Sequence, residues 1–246
     1  MKIVVIGGTG LIGKQLVTKL SEDGHQAVAA APATGVNTLT GEGVAAALRD
    51  AQVIIDVSNS SSFEDKAVMD FFTTSTTNLL NYGAKAGVEH IVALSVVGAD
   101  RLAESGYIRA KIAQEALIRA GKLPWSIVHA TQFFEFVRTL ADLGTQDGTI
   151  HLAPVFIQPM AAEDVVNAIA RISVGTPVNG MVEVAGPERF RLDELIRRCL
   201  EASGDPRKIV KDPNSLYFGA PLSENSLVPE AEAKLGEIRF EDWLRK

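Results

Sequence analysis

Three side chains of this chain have the types and spacing of a proton-transfer set: Ser95, Tyr107 and Lys111. Tyr107 and Lys111 stand four residues apart in Tyr107-Ile108-Arg109-Ala110-Lys111, which opens a helical pattern running to Gly121, so they share one helix face. An ammonium beside a phenol favours the phenolate and is expected to lower the pKa of Tyr107. Such a tyrosine can pass a proton to a carbonyl oxygen while a nicotinamide supplies hydride. Ser95 ends the apolar run His90-Ile91-Val92-Ala93-Leu94, where its hydroxyl can hold that oxygen, and Lys111 can also bond the nicotinamide ribose.

A second constellation lies at the N-terminus. Lys2-Ile3-Val4-Val5-Ile6 is a short, β-branched run that reads as a buried strand. Gly7-Gly8-Thr9-Gly10-Leu11-Ile12-Gly13 follows it, and Lys14 to Leu20 has helical spacing. Strand, glycine-rich turn and helix in that order form a site for a dinucleotide pyrophosphate, because a helix N-terminus offers unpaired N–H groups and partial positive charge. Gly7 permits the turn, Gly10 admits the pyrophosphate and Gly13 lets helix and strand pack closely. The spacing is G-x-x-G-x-x-G rather than G-x-G-x-x-G. Thr9, Leu11 and Ile12 complete the cofactor-binding turn.

The elements that must position these residues alternate. Gln26–Ala31 reads as a second strand, Val36–Leu39 as a short third, Val53–Val57 as a fourth, His90–Ser95 as a fifth and Trp125–Ala130 as a sixth. Between them lie helices at Val44–Leu48, Glu64–Ala86, with Ser62 as N-cap, Gly87 as C-cap and Phe71-Phe72 and Leu79-Leu80 towards the sheet, and Tyr107 onward. Such alternation demands a doubly wound parallel α/β sheet with right-handed crossovers. Ligands bind such sheets at the C-terminal ends of the strands. The cofactor-binding set therefore extends to Ala31, to Val57, Ser58 and Asn59, and to Thr131 and Phe133. Phe133, Phe134 and Phe136 either line an apolar pocket or belong to the core. Beyond the sixth strand the pattern predicts a helix over 161–172, a strand over 181–185, a helix over 192–202 and short helices at Glu230 and Phe240. The 246 residues suit a single dinucleotide-binding domain, residues 1–246, in which the chain from about residue 131 adds a small substrate-binding lobe.

Composition excludes other classes. The net charge is −6 and the basic residues are scattered, which argues against nucleic acid or an anionic membrane as partner. One cysteine, Cys199, allows no intrachain disulfide and sits in a helical apolar pattern as a structural thiol. His25, His90, His129 and His151 share no metal-ligand spacing, so no metal is expected. Glu163-Asp164 reads as favourable charge at a helix N-terminus. No apolar run reaches 18 residues and no leader precedes the first strand, so the expected location is the cytoplasm.

The glycine turn, Ser95 and Tyr107-x-x-x-Lys111 resemble the short-chain dehydrogenase/reductase superfamily. Asn78-Leu79-Leu80 before Ala86-Gly87-Val88, Ser95-Val96-Val97-Gly98, Ala130-Thr131-Gln132-Phe133-Phe134 and Ala185-Gly186-Pro187-Glu188 resemble its atypical, NmrA-like branch. The resemblance covers residues 1 to about 200. It implies a seven-stranded Rossmann sheet, bound NAD(P), a small C-terminal substrate region and a tendency to pair as homodimers. Three departures stand out: Phe72 where orthodox members carry asparagine, Ala31-Pro32 where NADPH-using relatives carry arginine, and His129 where the branch often carries arginine.

The expected function is reduction of a small carbonyl or quinone-like substrate by hydride transfer. The cofactor is NADP, with NAD as the alternative: no acid at Ala31 repels a 2′-phosphate, and Thr34 and loop N–H groups are available to bind it. A dinucleotide-binding redox sensor without turnover is the second reading. A sugar-nucleotide epimerase is a third, disfavoured by the short C-terminal region.

Overall fold

The computed structural model describes residues 1–245. In order, the first half contains β1 (Lys2–Ile6), α1 (Leu11–Glu22), β2 (Gln26–Ala30), α2 (Val44–Leu48), β3 (Val53–Asp56), α3 (Asp65–Ala86), β4 (His90–Val96), α4 (Gly106–Ala120) and β5 (Trp125–Ala130). The second half contains α5 (Val137–Leu143), β6 (Thr145–Gln146), β7 (Thr149–Leu152), β8 (Phe156–Ile157), α6 (Ala162–Ser173), β9 (Gly180–Ala185), β10 (Phe190–Arg191), α7 (Leu192–Ser203), β11 (Lys208–Lys211), β12 (Lys234–Leu235) and α8 (Phe240–Leu244).

A seven-stranded parallel sheet runs β12-β9-β5-β4-β3-β1-β2, the Rossmann-like α/β arrangement expected. β1 lies between β2 and β3, pairing Val4 with Val28 and Ile54, and Ile6 with Ala30 and Asp56. Ile3, Val4, Val5, Ile54 and Ile55 are fully buried, as strands covered on both faces require. On one face Val4, Ile6, Ile54 and Ile91 pack with Leu48, Leu79 and Ile118.

The chain forms two compact units. The first comprises residues 1–95, 106–129 and 165–182; the second comprises 96–105, 130–164 and 183–246. In the second, β8 pairs antiparallel with β10, and β7 pairs antiparallel with β6 and parallel with β11. Phe134, Phe190, Phe240 and Trp243 form one aromatic cluster there, so Phe134 is core.

Four local expectations are corrected. Val36–Leu39 is a turn: the Asn37 side-chain oxygen accepts the Leu39 N–H at 2.9 Å, a local bond that replaces a strand ladder. Glu64, not Ser62, is the N-cap of α3, and the Ser62 hydroxyl accepts the Glu64 N–H instead. Phe72 packs with Val68 and Ala110, against α4 rather than the sheet. Glu230 lies in a turn, whereas Phe240 does begin a helix.

Candidate cofactor and proton-transfer site

The sheet puts the glycine turn, Ala31 and Val57–Asn59 at the C-terminal ends of neighbouring strands of the first unit, with Ser95 at the end of β4. Gly7 has φ +78°, and its N–H donates to Ala30 O at 2.9 Å. A Cβ on Gly7 would come within 2.8 Å of Ser58 Cα, and one on Gly13 within 2.1 Å of Gly7 O. Those two glycines are required by the protein's own packing. Gly10 differs: a Cβ there would meet only Gly7 O, at 3.4 Å. It is the N-cap of α1, with no side chain to bond the first helical N–H groups. Those of Leu11, Ile12 and Gly13 have no carbonyl behind them within the helix. The open side of Gly10 and these donors suit a pyrophosphate.

At the end of β2 the ribose-reading position is Ala31, buried and without a charged group. Thr34 does not stand free for a 2′-phosphate. Its hydroxyl oxygen accepts the Ala31 N–H at 2.9 Å and lies 3.0 Å from the carbonyl oxygens of Ala29 and Ala31. The N–H groups of Thr34, Gly35 and Val36 are bonded within the same loop.

Tyr107 and Lys111 converge on one ring. Phe72 lies 4.3 Å from Lys111 Nζ, measured to the ring centroid, and 6.0 Å from the Tyr107 ring, edge-on. Phe63 packs on Tyr107 at 5.7 Å. The position that departs from the superfamily's asparagine thus lies under the lysine and offers a π face.

The electrostatics reverse one expectation. Burial pushes the Tyr107 phenol up to about 12, so Lys111 does not turn it into a phenolate. Burial also pushes Lys111 down to about 8, against the opposing charges of Asp56 and Glu115. Lys111 is almost fully buried; its ammonium donates to Leu94 O at 2.8 Å and to the Gln114 side-chain oxygen. Gln114 donates in turn to Asp56 Oδ2 at 2.9 Å. Asp56 Oδ1 accepts the N–H of Ser58 at 3.0 Å and its hydroxyl at 2.6 Å. A continuous chain of bonds therefore joins Lys111 to the Ser58 loop, which itself touches the glycine turn.

Ser95 is not turned to the tyrosine as a free donor. Its hydroxyl donates to Glu115, whose carboxylate also lies 3.0 Å from His129 Nε2. Burial alone would raise the Glu115 pKa, but hydrogen bonds from His129 and Ser95 and the charges of His129 and Lys111 hold it below the usual carboxylate range. His129 is a member of this cluster, a buried structural role.

Asp56, Gln114 and Glu115 were missed by sequence reasoning. Their signal was present in α4, where Lys111, Gln114 and Glu115 occupy the positions that Ile108 and Ile118 mark as inward. Three polar residues on a buried helix stripe must satisfy one another, or a ligand.

Asn59 is exposed and bonds Ser60 N–H, and Val57 donates to Ile6 O. Thr9 and Leu11 are exposed and Ile12 is buried. In the second unit, Thr131 N–H donates to Val184 O, while Phe133 pairs with Met160 and packs on Phe136 at 6.1 Å. Asp164 is more than a helix-end charge, since its carboxylate accepts the Glu237 and Ile238 N–H groups. Among the described residues no cluster of His, Cys, Asp and Glu could hold a metal, and no helix is long and apolar enough to cross a membrane. Cys199 is buried, and burial raises its pKa, as a structural thiol requires.

A family profile described as NAD(P)H-binding matches residues 7–172. The chain is 22% identical over 233 residues to a Synechocystis protein named Photosystem II assembly factor Ycf39, covering 87% of this chain and 71% of that one. The protein of the same name from Cyanophora paradoxa is 23% identical over 231 residues, covering 87% and 72%. Among solved structures, a short-chain dehydrogenase/reductase superfamily protein from Agrobacterium tumefaciens with bound NAD superposes with a TM-score of 0.75 at 16% identity, covering 100% of this chain and 95% of the other. A dTDP-4-dehydrorhamnose reductase from Clostridium acetobutylicum gives 0.72 at 15% identity, covering 100% and 98%. At these identities the structures establish a shared fold.

Proposed function

Because this chain belongs to the NAD(P)H-binding family, we propose that it is an oxidoreductase of the short-chain type that reduces a small carbonyl or quinone-like substrate. The observation that carries this reading is the meeting of Tyr107 and Lys111 on the Phe72 ring. The cofactor, when bound, supplies hydride. The α1 N-terminus holds its pyrophosphate, and Ser58 and Asn59 border it at the end of β3. Tyr107, neutral far above physiological pH, keeps its proton until the substrate oxygen gains negative charge, then donates it from Oη. Lys111, on the same Phe72 ring, puts a positive charge near the phenolate that forms. Ser95 spends its proton on Glu115 and so has none to give to the substrate oxygen.

The preferred cofactor is NADP, with NAD accepted. Ala31 presents neither an acid to repel the 2′-phosphate nor a cation to hold it, and the Thr34 hydroxyl is already bonded, so the preference is modest. Ala31→Arg adds a guanidinium and shifts the ratio of the two affinities towards NADP, as measured by calorimetry. An unchanged ratio places the ribose elsewhere.

The test of function is NADPH oxidation followed by absorbance against a panel of carbonyls and quinones. Tyr107→Phe lowers turnover by roughly 10²–10⁴-fold, the worth of a placed proton donor, with cofactor affinity kept. Ser95→Ala costs no more than about threefold, because its donor is committed elsewhere. A wild-type rate in Tyr107→Phe removes the tyrosine from the mechanism.

A second reading is a dinucleotide-dependent regulator or assembly factor without turnover. The sequestered Ser95 hydroxyl and the likeness to proteins named Photosystem II assembly factors favour it. Tight NADPH binding with no oxidation on any substrate of the panel decides for it.

A further inference from the structure

Asp56, Ser58, Gln114 and Lys111 all belong to the first unit, and the chain of bonds through them has a fixed polarity. Lys111 carries three N–H donors, of which two go to Leu94 O at 2.8 Å and to Gln114 Oε1. An amide whose oxygen is held by a cation presents its Nε2 to the other side, and Gln114 Nε2 donates to Asp56 Oδ2 at 2.9 Å. Asp56 Oδ1 accepts the Ser58 N–H at 3.0 Å and the Ser58 hydroxyl at 2.6 Å. Gln114 is 1% exposed and Asp56 2%, so bulk water does not stand in for either partner.

Mutual satisfaction explains why buried polar groups pair, but not where the two ends of this chain lie. One end is the ammonium. The other is the loop at the C-terminal end of β3, whose Ser58 Cα lies 2.8 Å from where a Cβ on Gly7 would stand. The ammonium is faced by Asp56 of β3, by Glu115 of its own helix and by the Phe72 ring of α3, which Tyr107 also meets. Glu115 is held in turn by Ser95 of β4 and His129 of β5. The cluster therefore sets one lysine cation against two buried carboxylates. When the ammonium loses its proton, Gln114 loses the cation that polarises it and Asp56 loses a counter-charge. The bonds that hold the Ser58 loop are then weakened from the far end.

We propose that Gln114 and Asp56 are positioning residues that couple the Ser58 loop to Lys111, so that a nucleotide seated at the glycine turn binds more tightly while the lysine is an ammonium, without touching it. The inference deepens the dinucleotide reading above and rests on it. Such coupling is reciprocal, so bound nucleotide also holds the proton on Lys111. The polarity of the chain supplies a specific exchange. Asp56→Asn sets an amide donor against the Gln114 amide donor, and Gln114→Glu sets a carboxylate against the Asp56 carboxylate. Made together they keep every bond: the carboxylate introduced at 114 accepts from Lys111 and from the amide introduced at 56, whose oxygen accepts from Ser58.

The probe is ADP, which carries adenosine and pyrophosphate but not the second ribose assigned to Lys111. Its affinity is measured by calorimetry from pH 7.5 to pH 9.5, a range over which its phosphates are already ionised. Wild-type affinity is expected to fall by roughly tenfold across the range, a typical coupling between sites. Lys111→Met should bind ADP roughly tenfold more weakly than wild type at pH 7.5, with a flat profile. Asp56→Asn and Gln114→Glu should each weaken ADP by a similar factor at pH 7.5, and the double variant should recover to within about threefold of wild type. Thermal melts recorded beside the titrations confirm that each variant is folded. Folded single variants that bind ADP as wild type does, with lowered melting temperatures or not, make the pair structural and overturn the proposal. So does a double variant as weak as the two single losses added together, or a limb that persists in Lys111→Met. The wild-type profile needs no variant: bound ADP whose affinity is flat across the range overturns the coupling alone. Wild type that binds no ADP at any pH overturns the dinucleotide reading, and the coupling with it.

Discussion

Lys111 donates to Leu94 O and to the Gln114 side-chain oxygen, and burial brings the loss of its positive charge, which faces Asp56 and Glu115, close to physiological pH. Cofactor affinity and turnover should therefore fall as pH rises through about 8, while Tyr107, at about 12, stays protonated across that range. Gln114→Glu places a carboxylate beside the ammonium and moves the alkaline limb to higher pH. An NADPH affinity profile against pH checks this, and a limb that Gln114→Glu leaves in place belongs to another group. The same shift acts on stability. The folded pKa lies below the ordinary lysine value near 10.4, so between the two the unfolded chain binds more protons and stability rises with pH, by roughly 3 kcal/mol at most. Denaturation with urea from pH 8 to pH 10 should show this rise in wild type and lose it in Lys111→Met. At this scale Tyr107 and Lys111 were legible because helix spacing alone puts them on one face. Their ionisation was not, because it depends on burial and on Asp56, which is 55 residues distant in sequence from Lys111 and is linked to it through Gln114.

The glycine turn separates what a helix needs from what its ligand needs. A Cβ on Gly13 would enter the carbonyl of Gly7, so Gly13→Ala should cost several kcal/mol, by forcing α1 away from β1. A Cβ on Gly10 meets no backbone closer than 3.4 Å, and the residue has φ −82°, which any residue tolerates. Gly10→Val should fold with a melting temperature near that of wild type and lose dinucleotide binding, because the added methyl groups stand in front of the free N–H groups of α1. Thermal melts paired with ADP-ribose titration distinguish the two variants. Wild-type affinity in folded Gly10→Val would remove the pyrophosphate from this turn. Elements were legible wherever apolar periodicity was long: β1, β4, α3 and α4 lie within a residue or so of their expected bounds. Val36–Leu39 failed because four residues carry little period, and Asn37 supplies a bond to its own loop that no count of β-branched residues registers. The N-cap of α3 slipped for a related reason, since Ser62 bonds the Glu64 N–H before the helix begins.

At the scale of the whole chain, the alternation of strands and helices announced the parallel sheet, whereas the architecture after residue 130 depends on contacts between segments far apart in sequence. The tail of the second unit shows how. Asp164 receives the N–H groups of Glu237 and Ile238, and Glu188 receives that of Phe240 at 2.9 Å. Glu135 receives the Trp243 indole N–H at 3.1 Å and the Ala162 N–H at the same distance. Three carboxylates thus fasten the last strand and helix, and no local pattern pairs Asp164 with residues more than 70 positions later. Phe240 is fully buried at the centre of this arrangement, against Phe134, Phe190 and Trp243. Phe240→Ala should cost about 3–5 kcal/mol by opening a cavity among rings that cannot close over it. The loss should fall on the second unit, which contains Phe240 and the three rings it packs on. Hydrogen exchange should then accelerate in residues 130–164 and 183–245, while β1, β3 and α1 keep their protection. ADP-ribose affinity should survive, because the glycine turn and the Ser58 loop belong to the first unit, and turnover should fall if the substrate lobe is the one expected beyond residue 131. Exchange that accelerates equally throughout the sheet would instead make the two units one cooperative body, and ADP-ribose binding would fall with it.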